Sequence, residues 1–185
     1  MELGVAIRKR RANQARSLQA VADAAGISRA MLSDIERGAK NPTIKVVCQI
    51  AEALGCSVSD LLNRGAPAPA LGMSVVRETE RQRLVDPQTG IERELLAPSF
   101  VSRGVEVVWY SIPPGAETGL FPAHPPGTAE HLTVVEGSLT CSVGGEEVAL
   151  EAGDSAAFLA DVPHRFANMG DAVTRYFLIV DAPRG

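Results

Sequence analysis

Apolar residues recur at two different periods along the chain, and the change falls between residues 63 and 72. Before it, Leu, Ile, Val and Ala return every three or four positions, the period that lines one face of a helix. The breaks in that period predict five helices, over residues 2–15, 18–25, 29–37, 44–54 and 58–62. Ser17, Ser28, Thr43 and Ser57 stand where N-caps are needed, and Gly26, Gly38 and Gly55 stand where helices must stop. Met31, Leu32 and Ile35 mark the inward face of the third helix. Val47, Ile50, Ala51 and Leu54 mark that of the fourth.

Beyond residue 72 the pattern shortens to runs of Val, Ile, Phe and Tyr, broken by Pro-Pro-Gly, Gly-Gly and Gly-Asp. Such runs predict strands over 75–79, 83–86, 93–96, 105–112, 130–136, 139–143, 147–150, 155–158, 164–168 and 174–180. Gly144-Gly145 suits a two-residue hairpin. Short, evenly spaced strands favour a closed antiparallel barrel. Between the two patterns, Asn63-Arg-Gly-Ala-Pro-Ala-Pro-Ala-Leu-Gly72 can neither continue a helix nor pair as a central strand. The expected organisation is therefore an α + β chain of two domains, 1–63 and 73–185, joined by a linker at 64–72.

Charge sharpens this division. Residues 1–65 carry ten Lys/Arg against six Asp/Glu, and residues 66–185 carry eight against sixteen, within a total of −4. A basic head on an acidic body suits a nucleic-acid partner for the head alone. With 45% hydrophobic and 22% charged residues the chain has an ordinary globular balance. No apolar run approaches the roughly 18 residues of a membrane span. The N-terminus turns basic at Arg8 before an apolar segment forms, so no secretory leader is expected. Cys48, Cys56 and Cys141 lack any metal-ligand spacing, and buried reduced thiols in a cytoplasmic protein are the expectation.

Within the helical part, residues 18–25, the turn Gly26-Ile27-Ser28 and residues 29–37 have the lengths of a helix-turn-helix, with small Ala22 where the helices cross. Ser17-Leu18-Gln19-Ala20-Val21-Ala22, Ala25-Gly26-Ile27-Ser28 and Met31-Leu32-Ser33-Asp34-Ile35-Glu36-Arg37-Gly38 resemble the XRE (Cro/C1-type) family of repressors. Asn41-Pro42-Thr43 and Ile50-Ala51-Glu52-Ala53-Leu54-Gly55 extend the match. The resemblance implies a lambda-repressor-like five-helix bundle whose residues 29–37 enter the major groove of double-stranded DNA. Arg29, Ala30, Ser33 and Asp34 would then face base edges, Arg29 as a bidentate reader of guanine. Gln19, Ser28, Lys40, Asn41 and Thr43 would touch phosphates. The run Arg8-Lys9-Arg10-Arg11 fits either a solvated face or further phosphate contacts.

In the second part, Gly153-Asp154, Leu159-Ala160-Asp161, Pro163-His164 and Asn168 resemble the second signature of the cupin superfamily. The passage 118–137, ending in Val134-Val135-Glu136-Gly137, resembles the first. The implied fold is an antiparallel jelly-roll barrel. The implied metal ligands are His124, Glu130 and His164, while Pro126 stands where the family has a further histidine. Two imidazoles and a carboxylate can hold Zn, Fe, Mn or Ni; a buried His–Glu pair with a small-molecule carboxylate would use the same residues without an ion. Strand alternation puts Phe158, Phe166 and Asn168 with His164, and either Trp109 or Tyr110, on the inside; Trp109, Phe158, Phe166 and Asn168 are the candidate effector-binding set. His131 points the other way.

Three functions compete on these readings. The first is a cytoplasmic, dimeric transcription regulator, a repressor, that reads a near-palindromic operator and answers to a small-molecule effector in its barrel. The second is a metal-dependent isomerase or dioxygenase with a DNA-binding head, against which Pro126 and the lack of a nearby general base both count. The third is a barrel that only dimerises.

Overall fold

The computed structural model describes residues 2–62 and 73–183, and the chain divides into two compact units, Met1–Leu62 and Asn63–Gly185. The segment read as a linker, 64–72, lies outside the described residues.

The first unit is built of α1 (Glu2–Asn13), α2 (Leu18–Ala24), α3 (Arg29–Glu36), α4 (Ile44–Ala53) and α5 (Val58–Leu62). All four N-caps act as the sequence suggests, the Ser57 hydroxyl accepting from the Asp60 N–H at 3.0 Å. The hydroxyls of Ser17, Ser28 and Thr43 accept from the backbone N–H of Ala20, Met31 and Val46 at 3.0, 3.1 and 3.3 Å. Ile7, Val21, Leu32, Val47 and Ile50 are fully excluded from solvent and form the centre of this core. Ala22 is equally buried, and its small side chain lets α2 and α3 cross closely. Gly4 does the same for α1: a Cβ there would lie 2.2 Å from the Ile35 carbonyl oxygen on α3.

The second unit holds β1 (Gln82–Val85), β2 (Glu92–Leu95), β3 (Val105–Ile112), β4 (Ala129–Glu136), β5 (Ser138–Val143), β6 (Glu146–Glu151), β7 (Ser155–Leu159), β8 (His164–Ala167) and β9 (Thr174–Asp181). They form a six-stranded sheet ordered β1-β2-β3-β9-β4-β7 and a three-stranded sheet ordered β6-β5-β8. Every pairing between them is antiparallel. Bridges from Glu117 to Ala167 and from Phe121 to His164 lay an irregular segment along β8. Phe166 and Tyr176 meet across the interior at 5.6 Å between ring centres. Gly144 and Gly145 both adopt positive φ (57° and 95°) between the paired Val143 and Glu146, the geometry a two-residue hairpin needs.

Two elements differ from the sequence reading. The strand expected at 75–79 is instead a 3-10 turn, Glu78–Glu80, in which the Glu80 carboxylate accepts from the Arg77 N–H at 3.2 Å. Val and Thr favour strands only where a neighbour offers a ladder. A second 3-10 helix, Pro98–Arg103, ends at Gly104 with φ of 86° and fills the gap between β2 and β3.

Candidate nucleic-acid interface and metal centre

α3 buries Leu32, Ile35 and Glu36 and leaves Arg29 and Ala30 in solvent, with Ser33 and Asp34 half-covered. Its leading turn is open within its own unit. Among the described residues Arg29 has no ion-pair partner, and the first turns of α3 and α4 contain no acidic side chain. The positive end of the α3 dipole and the Arg29 charge therefore add, which favours an approaching anion. Gln19, Ser28, Lys40 and Asn41 are exposed and Thr43 is half-covered.

Several of these side chains are already engaged. Gln19 donates to Asp23 at 2.7 Å, while Ser28 and Thr43 are helix caps. Arg37, which the sequence reading passed over, donates to Asp34 at 2.6 Å and to the Ser33 hydroxyl. Its spacing of three from Asp34 was the available signal.

The basic run at the end of α1 splits. Arg8 and Lys9 are exposed. Arg11 makes a bidentate pair with buried Glu36 at 2.7 and 2.8 Å and donates to the Arg16 carbonyl at 2.9 Å. The hydrogen bond that Arg11 donates to Glu36, opposed by burial, raises the Arg11 pKa above its ordinary value. Arg10, Gln14 and Arg16 donate to the carbonyls of Ala53, Leu54 and Gly55 at the end of α4. Cations at a helix C-terminus complement its dipole, so Arg10 and Arg16 hold α4 in place, and Gln14 adds a neutral hydrogen bond.

Inside the barrel, β4 alternates so that Glu130, Leu132 and Val134 are buried while His131 is exposed. β8 opens with His164, and the segment bridged to it at Phe121 carries His124. The result is one cluster: Glu130 Oε1 lies 3.2 Å from His124 Nε2 and 3.6 Å from His164 Nε2. Ligand atoms of the three residues all fall within 4.8 Å of one another. Glu130 and His164 side chains are 2% and 1% exposed, but that of His124 is 35% exposed and forms the open side.

The chemistry of this set fits a divalent metal. His164 Nδ1 is held by the Val162 carbonyl at 3.0 Å, which leaves Nε2 as the inward lone pair. Glu130 Oε2 is buried with no hydrogen-bond partner among the described residues, an arrangement that ordinarily calls for an ion or a ligand group. Pro126, in the place of the family's other histidine, is exposed in the turn before Gly127.

The walls differ partly from expectation. Phe158 and Phe166 flank His164 at 5.7 and 5.9 Å between ring centres, joined by Phe121 at 5.6 Å. Trp109, however, sits on the outer face against Phe177, and Tyr110 turns inward to stack on Tyr176. The phase of β3 is set by Val108 and Ile112, both fully buried. Asn168 is buried but committed: its amide donates to the carbonyls of Ile112 and Ala172, and its oxygen accepts from the Gly170 N–H. It pins the chain after β8 and has no free group for an effector.

Tyr176 was not anticipated in this interior, and Cys141, expected as a buried thiol, lies beside it. Burial, then the neighbouring Tyr110, Glu130 and Cys141, pushes the Tyr176 phenol well above its ordinary range, and its hydroxyl has no partner among the described residues. Burial and Glu130 push the Cys141 thiol up to about 11.

Comparison with known proteins agrees with both units. A helix-turn-helix family model matches residues 7–61, and a cupin-domain model matches residues 108–180. The chain is 28% identical over 189 residues to the HTH-type transcriptional regulator SutR of Escherichia coli K12, covering 98% of this chain and 96% of that protein. It is 24% identical over 166 residues to the HTH-type transcriptional regulator PuuR of the same organism, covering 89% and 86%. An HTH_3 family transcriptional regulator from Vibrio cholerae superposes with a TM-score of 0.79 at 25% identity, over 99% of this chain and 96% of that one. Iron(II) HppE superposes with a TM-score of 0.55 at 19% identity, over 97% of each chain, a likeness of fold alone. No helix among the described residues is long and apolar enough to cross a membrane. The chain therefore carries an N-terminal helix-turn-helix domain and a C-terminal cupin domain.

Proposed function

We propose that this protein is a cytoplasmic, dimeric transcription regulator, a repressor, whose α3 reads a near-palindromic operator and whose barrel binds a small-molecule effector that changes operator affinity. The observation that carries the first half is the open leading turn of α3. Arg29 and Ala30 stand in solvent beside a cationic helix terminus, while Leu32 and Ile35 anchor the opposite face. Arg29, Ala30, Ser33 and Asp34 face base edges, with Gln19, Ser28, Lys40, Asn41 and Thr43 on the flanking phosphates. One such helix reads only a few base pairs, so a genomic address requires two.

The effector half is supported by the barrel's unmet polar atoms, Glu130 Oε2 and the Tyr176 hydroxyl, inside walls of Phe121, Phe158 and Phe166. His124, Glu130 and His164 would hold a divalent metal, which would supply a Lewis-acidic anchor for an anionic or chelating effector. To matter, effector binding must favour one arrangement of the heads by ~1–3 kcal/mol.

The converging His–Glu–His set is also the observation that favours a second reading, a metal-dependent cupin enzyme with a DNA-binding head. Selecting bound duplexes from a random pool tests the operator-reading half, and turnover by metal-loaded protein would be needed to favour the enzyme. The regulator reading expects enrichment of one near-palindromic motif; a pool that stays random after repeated selection at low salt would remove it.

A further inference from the structure

On the outer face of the six-stranded sheet, β7, β9 and β3 carry a run of apolar side chains where an antiparallel sheet with one covered side ordinarily turns polar residues to water. The strand registers lay Ala157, His131, Ile179 and Val107 in one row, and Ser155, Thr133, Phe177 and Trp109 in the next, which the charged Glu94 and Arg83 continue onto β2 and β1 and so bound the apolar stripe. Leu159 is 61% exposed, Ile179 38% and Phe177 37%. A shallow hollow between β4, β7 and β9 runs through Ala157, Leu159 and Ile179. Charge brackets this stripe. On β9, Arg175 stands at one end and Asp181 at the other, both on the face that carries Phe177 and Ile179. Arg175 pairs with Glu136 of its own chain yet keeps its side chain 39% exposed.

We infer that this face is the homodimer interface, occupied by a second copy packed sheet on sheet, and that Arg175 and Asp181 set its register. The inference rests on the DNA-binding reading, because two recognition helices require two chains. Stacked sheets lie about 10 Å apart with strands nearly aligned. A two-fold axis between the sheets, perpendicular to the strands and over Leu178, reverses the partner's β9. Phe177 then meets the partner's Ile179, and Arg175 meets the partner's Asp181, twice by symmetry. An axis parallel to the strands would set Arg175 on Arg175 and Asp181 on Asp181. Like charges oppose that arrangement.

The test uses the full chain without DNA, with mass read by light scattering at tens of micromolar. Wild type is expected to be dimeric. Asp181→Arg alone and Arg175→Asp alone each place like charges across the interface and should weaken association at least about tenfold. Mixed in equal amounts, the two variants should regain a dimer, because each then meets its opposite charge. A variant that merely unfolds could not be rescued by mixing, and Ile179→Arg provides a second, uncompensated disruption. Wild-type monomer, single variants as dimeric as wild type, or a mixture that stays monomeric would each overturn the proposal. Because no DNA is present, any of these results leaves operator reading standing. A dimer that selects no duplex would instead end the operator reading and leave the interface.

Discussion

Arg11 shows how a residue in a basic run can serve the fold rather than the ligand. Its two nitrogens meet both Glu36 oxygens, and the Glu36 side chain is 5% exposed against 15% for Arg11. Removing one partner of such a pair leaves a buried charge uncompensated. Arg11→Ala should therefore destabilise the helical unit by about 3 kcal/mol, read as a lower urea midpoint in helical circular dichroism. An unchanged midpoint would place Glu36 in a wetter site than the structure gives.

Cys141 gives the pH-dependent counterpart. Burial holds its thiol protonated up to about 11 in the folded chain, above the 9.0 of an exposed thiol. The folded state thus keeps a proton that the unfolded state releases, so stability is unaffected below pH 9 and falls as pH rises from 9 toward 11. At pH 8 the thiol should resist iodoacetamide until denaturant is added, as mass spectrometry of the labelled peptides would show. Rapid labelling of Cys141 in the native protein would contradict the closed barrel.

At the level of elements, α1 shows geometry overruling propensity. Alanine is the better helix former by about 1 kcal/mol, so Gly4→Ala would stabilise an isolated α1. In this fold its Cβ would press on the Ile35 carbonyl at 2.2 Å, a backbone atom that cannot swing aside. We expect a loss of about 1–3 kcal/mol, seen as a lower melting temperature of the helical signal. A rise in that temperature would mean that α1 sits farther from α3.

The same contrast explains what the sequence could disclose. Caps at Ser17, Ser28 and Thr43 act within three residues, so local chemistry revealed them. The convergence of Glu130 and His164 followed from alternation and motif spacing. Trp109 and Tyr110 are adjacent and both aromatic, so only the burial of Val108 and Ile112 from a facing sheet decides their phase. Asn168 matched its family position, but its bonds to Ile112, 56 residues away, and to Ala172 are invisible to any local pattern. Gly4 was silent for the same reason.

The whole molecule combines a helical head with a barrel whose His124, Glu130 and His164 converge as a metal-binding set would. Protein purified without chelator is expected to carry about one divalent ion per chain, and Glu130→Gln should reduce that to roughly a tenth. Equal metal content in the variant would assign the ion to another site, and its absence from wild type would favour a metal-free effector pocket.

The central claim is that the leading turn of α3 enters a DNA groove. Fluorescence anisotropy with the selected duplex measures this most directly, comparing wild type with Arg29→Glu at one salt concentration. The account expects wild type to prefer the selected duplex over random sequence by about a thousandfold or more, and Arg29→Glu to bind both alike with its melting temperature unchanged. Wild-type affinity and selectivity in the Arg29→Glu protein would contradict it.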